Sequence, residues 1–167
     1  SFLWKKPLIP ANHLEGHIAS FLLSQKNGIS NFKFLISNLF PAIALLVSGG
    51  HTQLVLMKNF GKYKTIGATR DDAAGEAFDK AAKMLKLGFP GGPAVAACAE
   101  NYKPKADNYK LKTISYKLKL PRPMLNSNDY DFSFSGLKTA LLYKIKELQK
   151  IKTISYKLKA YLCAEFQ

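Results

Sequence analysis

Cysteine is scarce in this sequence. Cys98 and Cys163 are the only two, they lie far apart and they form no C-x-x-C pair. That excludes a disulfide framework and a cysteine-built metal centre, and makes a reducing cytoplasm the default compartment. Carboxylates are few as well: 11 acidic residues face 25 basic ones, and among the basic residues only Arg70 and Arg122 are arginine. No apolar run approaches the ~20 residues that span a bilayer, so no membrane partner is expected. The opening SFLWKKPLIP lacks the apolar stretch and cleavage site of a secretory signal.

What is present suffices for a globular core. The chain has 167 residues, 47% of them hydrophobic, enough for one ordinary domain or pieces of two. Its net charge of +14 suits a polyanionic partner such as RNA, although lysine-biased composition alone produces the same excess. The start at Ser1 and the helix-like pattern running to Gln167 without a stop signal predict a piece of a longer protein.

The chain is organised around residues 43–57, IALLV-SGGHT-QLVLM. Two apolar arms flank a small, polar centre, which predicts two strands joined by a tight turn, with Gly49 and Gly50 supplying positive φ. An ordinary glycine hairpin satisfies the pattern. So does an anion-contacting loop, in which the backbone N–H groups and the hydroxyls of Ser48 and Thr52 face a phosphate.

Upstream, Asn12 is placed to cap a helix opening at His13-Leu-Glu-Gly-His17 and ending near Asn27-Gly28. The two histidines are four apart and share one face, so both can reach the same metal ion, while Glu15 falls on the opposite side. A zinc-protease motif is excluded, because its glutamate directly follows the first histidine. Two unrelated surface histidines are the plainer alternative, and a complete metal site needs a third ligand from elsewhere.

Downstream, 61–67 reads as another strand, and four carboxylates fall between Asp71 and Asp79. In a helix, Asp72, Glu76 and Asp79 share one face while Ala73, Ala77 and Ala81 share another, with Thr69 or Asp71 as cap. The acidic face is either a solvated surface or a site for a Mg²⁺-nucleotide or a hydroxyl-rich ligand. This helix is expected to stop at Gly88. Phe89-Pro-Gly-Gly-Pro93 then forms a rigid turn before an alanine-rich helix from Ala94, a second candidate phosphate or ribose contact as well as a simple connector.

From Asn101 the composition turns to lysine, tyrosine and asparagine. The octapeptide KTISYKLK occurs twice, at Lys112 to Lys119 and at Lys152 to Lys159. Two copies with unrelated flanks are too few for a stacked-repeat architecture and read as a duplication or an assembly fault rather than a functional module. A paired basic motif for RNA would need both exposed on one face. Residues 131–136 alternate like a strand, and Leu137, Leu141, Ile145 and Leu148 mark an amphipathic helix capped by Ser135, with Lys138 and Thr139 in its first turn.

The blocks NHLEGH, VSGGHTQL, DDAAGEAFDKAAKML, FPGGP, PRPM and DFSFSGLKTA resemble, in order and rough spacing from Pro7 to about Leu142, the tRNA N6-adenosine threonylcarbamoyltransferases, once called O-sialoglycoprotein endopeptidases. His51 and the DDAAGEAFDK form are similar to the bacterial or organellar branch. The resemblance implies an α/β class and part of an actin-like ATPase fold (sugar kinase, Hsp70, actin) with incomplete lobes. It divides the chain into a metal-binding helix and connector over 1–40, a nucleotide-contacting core over 41–100, and a lysine-rich insert with helices over 101–167.

It further implies transfer of a threonylcarbamoyl group from threonylcarbamoyl-AMP to N6 of adenosine 37 in tRNAs reading codons that start with A. By the same resemblance His13 and His17 hold a divalent metal, Fe²⁺ or Zn²⁺. Leu46, Val47, Ser48, Gly49, Gly50, Asp79 and Gly92 contact threonylcarbamoyl-AMP or ATP, and no residue is assigned to the chemical step itself. The implied partners are tRNA, an actin-like paralogue and a small P-loop ATPase, with a separate synthase supplying threonylcarbamoyl-AMP.

The sequence also departs from the pattern. The family's upstream lobe, and a downstream segment carrying an aspartate for the metal and an asparagine for the adenylate, are missing from it. Ala68 stands where a glutamate is usual, and the lysine-rich inserts have no counterpart. The competing readings are an inactive relative that binds only nucleotide or RNA, and a metal-dependent peptidase, disfavoured because no general base follows His13.

Overall fold

The structure, a computed structural model, describes residues 5, 7–23, 39–102, 119–151 and 154–167. The expected helix end at Asn27-Gly28, residues 30–38 and most of the first octapeptide copy lie outside the described residues. The class is mixed α/β, with helix α1 (His13–Leu23), strands β1 (Ala42–Val47), β2 (Thr52–Asn59) and β3 (Lys62–Ala68), then α2 (Ala74–Met84), α3 (Gly91–Glu100), α4 (Ser135–Ile151) and α5 (Tyr156–Phe166). The strands form one sheet of order β1-β2-β3, and the short connections between neighbours make it an antiparallel meander. Among the described residues no helix is long and apolar enough to cross a membrane.

The chain separates into two compact units, Ser1–Leu46 with Leu54–Ile66, and Val47–Gln53 with Gly67–Gln167. In the first unit α1 starts where expected: the Asn12 Oδ1 accepts the N–H of Leu14 at 2.9 Å, satisfying a donor that the first helical turn leaves open. The turn between β2 and β3 uses Gly61 at φ +73, a conformation that a side chain would strain.

In the second unit the alanine face of α2 does the packing. Ala77 and Ala81 are fully buried, which lets α2 lie close against α3 and α4, while α3 packs on α5. Leu141, Leu162, Val95 and Leu85 fill the centre of the same cluster, and Leu137 and Ile145 of the expected α4 stripe face it. Gly91 is required here, because a Cβ at that position would collide with the backbone of Phe78 and Asp79. Cys98 and Cys163, remote in sequence, are both buried free thiols in this core. Burial pushes the Cys163 thiol well up, and a hydrogen bond with Cys98 adds to the rise.

Three local expectations are corrected. Residues 131–136 do not make a strand: Phe132 alone forms an isolated parallel bridge to Thr69. The first of the paired helices ends at Met84, before Gly88. Lys86 takes the left-handed conformation at φ 54, with the Leu87 N–H on Ala82 O and the Lys86 N–H on Lys83 O, a Schellman closure. The second begins at Gly91 after Pro90, so both glycines of FPGGP belong to its first turn.

Candidate functional site

In the first unit, four-residue spacing on α1 brings the His13 and His17 rings together, edge to face, with centroids 4.5 Å apart. Their Nε2 atoms are 3.1 Å apart and both rings are exposed. A divalent ion at about 2.0–2.1 Å from each nitrogen would be held at an N–metal–N angle of about 95–100°, between octahedral and tetrahedral values. The pair therefore fits a metal as two of its ligands. Among the described residues no cluster of three or more His, Cys, Asp or Glu side chains completes a site. His17 also borders an apolar cavity of about 350 Å³ lined by Ile18, Ile43, Met57 and Tyr63 among others.

In the second unit, Ser48 organises the bend between β1 and β2. Its N–H donates to His51 O at 2.8 Å, its Oγ accepts the N–H groups of His51 at 2.9 Å and Gly50 at 3.3 Å, and its carbonyl accepts the Gly75 N–H at 3.1 Å. The expected open cradle is thus corrected: the Gly50 and His51 N–H groups are already engaged. Neither Gly49 nor Gly50 has positive φ, so turn geometry is not what their small size serves. A Cβ on either would meet no atom within 4 Å. These glycines leave a bare, exposed backbone surface beside the N-terminus of α2, where Gly75 lies so close to Ser48 that a Cβ would meet its carbonyl oxygen at 2.7 Å.

Each of the four carboxylates of the acidic segment has a structural partner, and Asp72 and Glu76 share Lys80. Asp71 does not cap α2. Its Oδ1 accepts the N–H of Phe134 at 2.7 Å and of Ser135 at 3.2 Å, and its Oδ2 accepts the hydroxyls of Ser133 and Ser135, so it caps α4 in place of Ser135. Burial alone pushes the Asp71 carboxyl up, but these four hydrogen bonds outweigh it and bring the group to about 2. Asp72 pairs with Lys138 and Lys80, and the Lys138 hydrogen bond is the main reason its carboxyl sits below the usual range. Glu76 pairs with the same Lys80 at 2.7 Å. Lys138 is therefore not free to hold an anion at the start of α4.

Asp79 accepts the Gly91 N–H on Oδ1 at 2.7 Å and so caps α3. Its side chain also lines an open cavity of about 380 Å³ with Glu76, Lys83, Gly88 and Phe89. Gly92, one residue into α3, has nothing within 4 Å of where a Cβ would stand. Asp79 and Gly92 are thus neighbours at the start of α3.

Sequence reasoning missed Thr52 as a structural residue. It is 2% exposed, and its Oγ1 accepts the Ala74 N–H at 2.8 Å, supplying the cap that Thr69 and Asp71 do not. Thr69 instead donates its hydroxyl to Asp72 O at 2.7 Å. Arg70 bridges Asp129 at 2.6 Å and Asp131 at 2.9 Å, tying the 129–134 segment to the end of β3.

Comparison with known proteins decides the family. The TsaD family, described as tRNA N6-adenosine threonylcarbamoyltransferase, matches residues 1–167. The chain belongs to that family. A relative named tRNA N6-adenosine threonylcarbamoyltransferase from Burkholderia pseudomallei is 51% identical over 149 residues, covering 89% of this chain and 37% of the relative. One of the same name from Thermomicrobium roseum is 49% identical over 150 residues, covering 90% of this chain and 37% of its own length. The chain thus spans about 37% of the length of the curated relatives it matches. Within the chain, the imidazole pair belongs to the first compact unit, and the bend with the α2 and α3 N-termini belongs to the second.

Proposed function

We propose that this chain carries part of the machinery that moves a threonylcarbamoyl group from threonylcarbamoyl-AMP to N6 of adenosine 37 in tRNAs reading codons that start with A. The fold it contributes to is an actin-like ATPase fold, in a protein longer than this chain, working in the cytoplasm. Its partners are tRNA, an actin-like paralogue, a small P-loop ATPase, and a synthase that supplies the adenylate. Family membership across residues 1–167 supports the reaction class. The observation that carries the site assignment is the 3.1 Å separation of the His13 and His17 Nε2 atoms.

In the reaction, the N6 amine forms a bond to the carbamoyl carbon, the bond from that carbon to the phosphate oxygen breaks, AMP departs and the amine loses a proton. An Fe²⁺ or Zn²⁺ ion on His13 and His17, when bound, supplies a positive centre that polarises a carbamoyl or phosphate oxygen. The backbone of Leu46 to Gly50, bare at Gly49 and Gly50, lies along the adenylate and fixes its position. Gly92 leaves room for the same ligand, or ATP, at the N-terminus of α3, where the helix dipole favours negative charge. Asp79, already holding the Gly91 N–H, offers its second carboxylate oxygen to a ligand hydroxyl.

The test is mass analysis of tRNA nucleosides after incubation of a chain extended to the length of its relatives with the partner proteins, adenylate and tRNA. The modified adenosine is the expected product, and its absence contradicts the proposal. The peptidase reading has no support: no carboxylate follows His13 to serve as its base.

A further inference from the structure

The transferase reading leaves one sequence feature unused, the second KTISYKLK copy. Its Ser155 caps α5, accepting the Leu158 N–H, and the helix register that follows places Lys159 in the first turns of α5. Ile154 and Lys159 meet Lys86, Gln149, Met84 and Leu85 around a depression of about 310 Å³, assembled from the end of α2, the last turns of α4 and the start of α5. All six lie in the second compact unit.

We propose that this basin is a docking point for a phosphate of an RNA backbone, with Lys86 and Lys159 as its cationic contacts. Three observations converge on it. Among the described residues no carboxylate lines the basin and neither lysine forms an ion pair, whereas Lys80, Lys138 and Lys144 all do. Its lining pairs Lys86, Lys159 and Gln149 with the apolar Ile154, Met84 and Leu85, a mix of side chains that suits a phosphate and its ribose. Finally, Lys86 occupies the left-handed position of the Schellman closure, where glycine is the unstrained choice, and the chain keeps a cation there although Gly88 lies two residues away. Ammonium groups act on phosphate as point charges, so this basin contributes affinity and orientation without reading bases.

The choice of RNA over another polyanion rests on the tRNA reading above, and the experiment separates the two. Binding of a tRNA transcript to the 167-residue chain is measured by fluorescence anisotropy across a salt series, for the wild type, for Lys86→Gly with Lys159→Gln, and for Lys62→Gln with Lys64→Gln on the exposed face of β3. Both pairs remove the same charge. The basin pair is expected to weaken binding about tenfold near 0.1 M salt and to lower the log–log salt slope by roughly 1 per lysine, while the β3 pair stays within about twofold of wild type. Lys86→Gly relieves the left-handed strain, so its thermal midpoint is expected not to fall, which separates lost contact from lost fold. Equal losses in the two pairs overturn the basin and leave the tRNA reading standing. A wild-type chain with no affinity for tRNA at low salt also overturns the basin, while the transferase reading is judged by the nucleoside assay on the extended chain.

Discussion

The hydroxyl of Thr52, buried at the first position of β2, holds the N–H of Ala74, the first residue of α2, at 2.8 Å. A strand residue thereby caps the helix that follows the next strand, and the bend before Thr52 is fixed against that helix end.

Thr52→Val keeps the shape and removes the acceptor, leaving the Ala74 N–H buried and unpaired. It is expected to cost about 1–2 kcal/mol in urea unfolding, with Thr52→Ser restoring most of the loss. Equal stability of Thr52→Val and wild type contradicts the cap.

Asp71 makes stability depend on acid. Its carboxyl lies at about 2 in the folded chain against 3.8 unfolded, so the unfolded state binds the proton first as pH drops. The contribution is therefore complete above about pH 4 and lost as pH falls toward 2. Because Asp71 is exposed, solvent screening limits it to about 1 kcal/mol. Unfolding at pH 7, 4 and 2.5 is expected to show a steeper fall for the wild type than for Asp71→Asn.

The glycines divide by what surrounds them. Gly91→Ala must push apart α2 and α3 and is expected to cost about 1–3 kcal/mol. Gly49→Ala and Gly92→Ala meet only open space, so their unfolding midpoints are expected to match or exceed wild type, while calorimetric titration with ATP shows weakened binding. Unchanged nucleotide affinity in both would remove these two positions from the site.

Asp79→Asn retains an oxygen for the Gly91 N–H, whereas Asp79→Ala does not. The alanine variant is expected to lose about 1 kcal/mol and the asparagine variant less than half of that, by thermal melting. Equal losses would mean that the capping contact carries no stability.

What the sequence revealed and what it hid divide along one physical line. Asn12 as a cap, the apolar arms around the bend, the alanine face of α2 and the Leu137, Leu141, Ile145 stripe of α4 were legible because each is a periodic or adjacent signal. The caps on the next three helices were not. Thr52 serves a helix 22 residues away, Asp79 one 12 away, and Asp71 one 64 away, and such pairings exist only once the core is assembled. The end of α2 was misjudged for a related reason: glycine at 88 signals a stop, yet burial of Leu85 in the core brings the left-handed turn to Lys86. For the site, the histidine spacing gave the face correctly. The glycine bend was credited with free donors that Ser48 consumes.

The central claim is that His13 and His17 act as one bidentate metal holder. The chain has three histidines, the third being His51, so their imidazole proton resonances can be followed individually by NMR during zinc titration, with each assigned by its alanine variant. The account predicts that the His13 and His17 signals shift together at substoichiometric zinc and that each loses its response when the other is replaced by alanine, while His51 stays in place. Independent shifts of the two rings, or an equal response from His51, would contradict it.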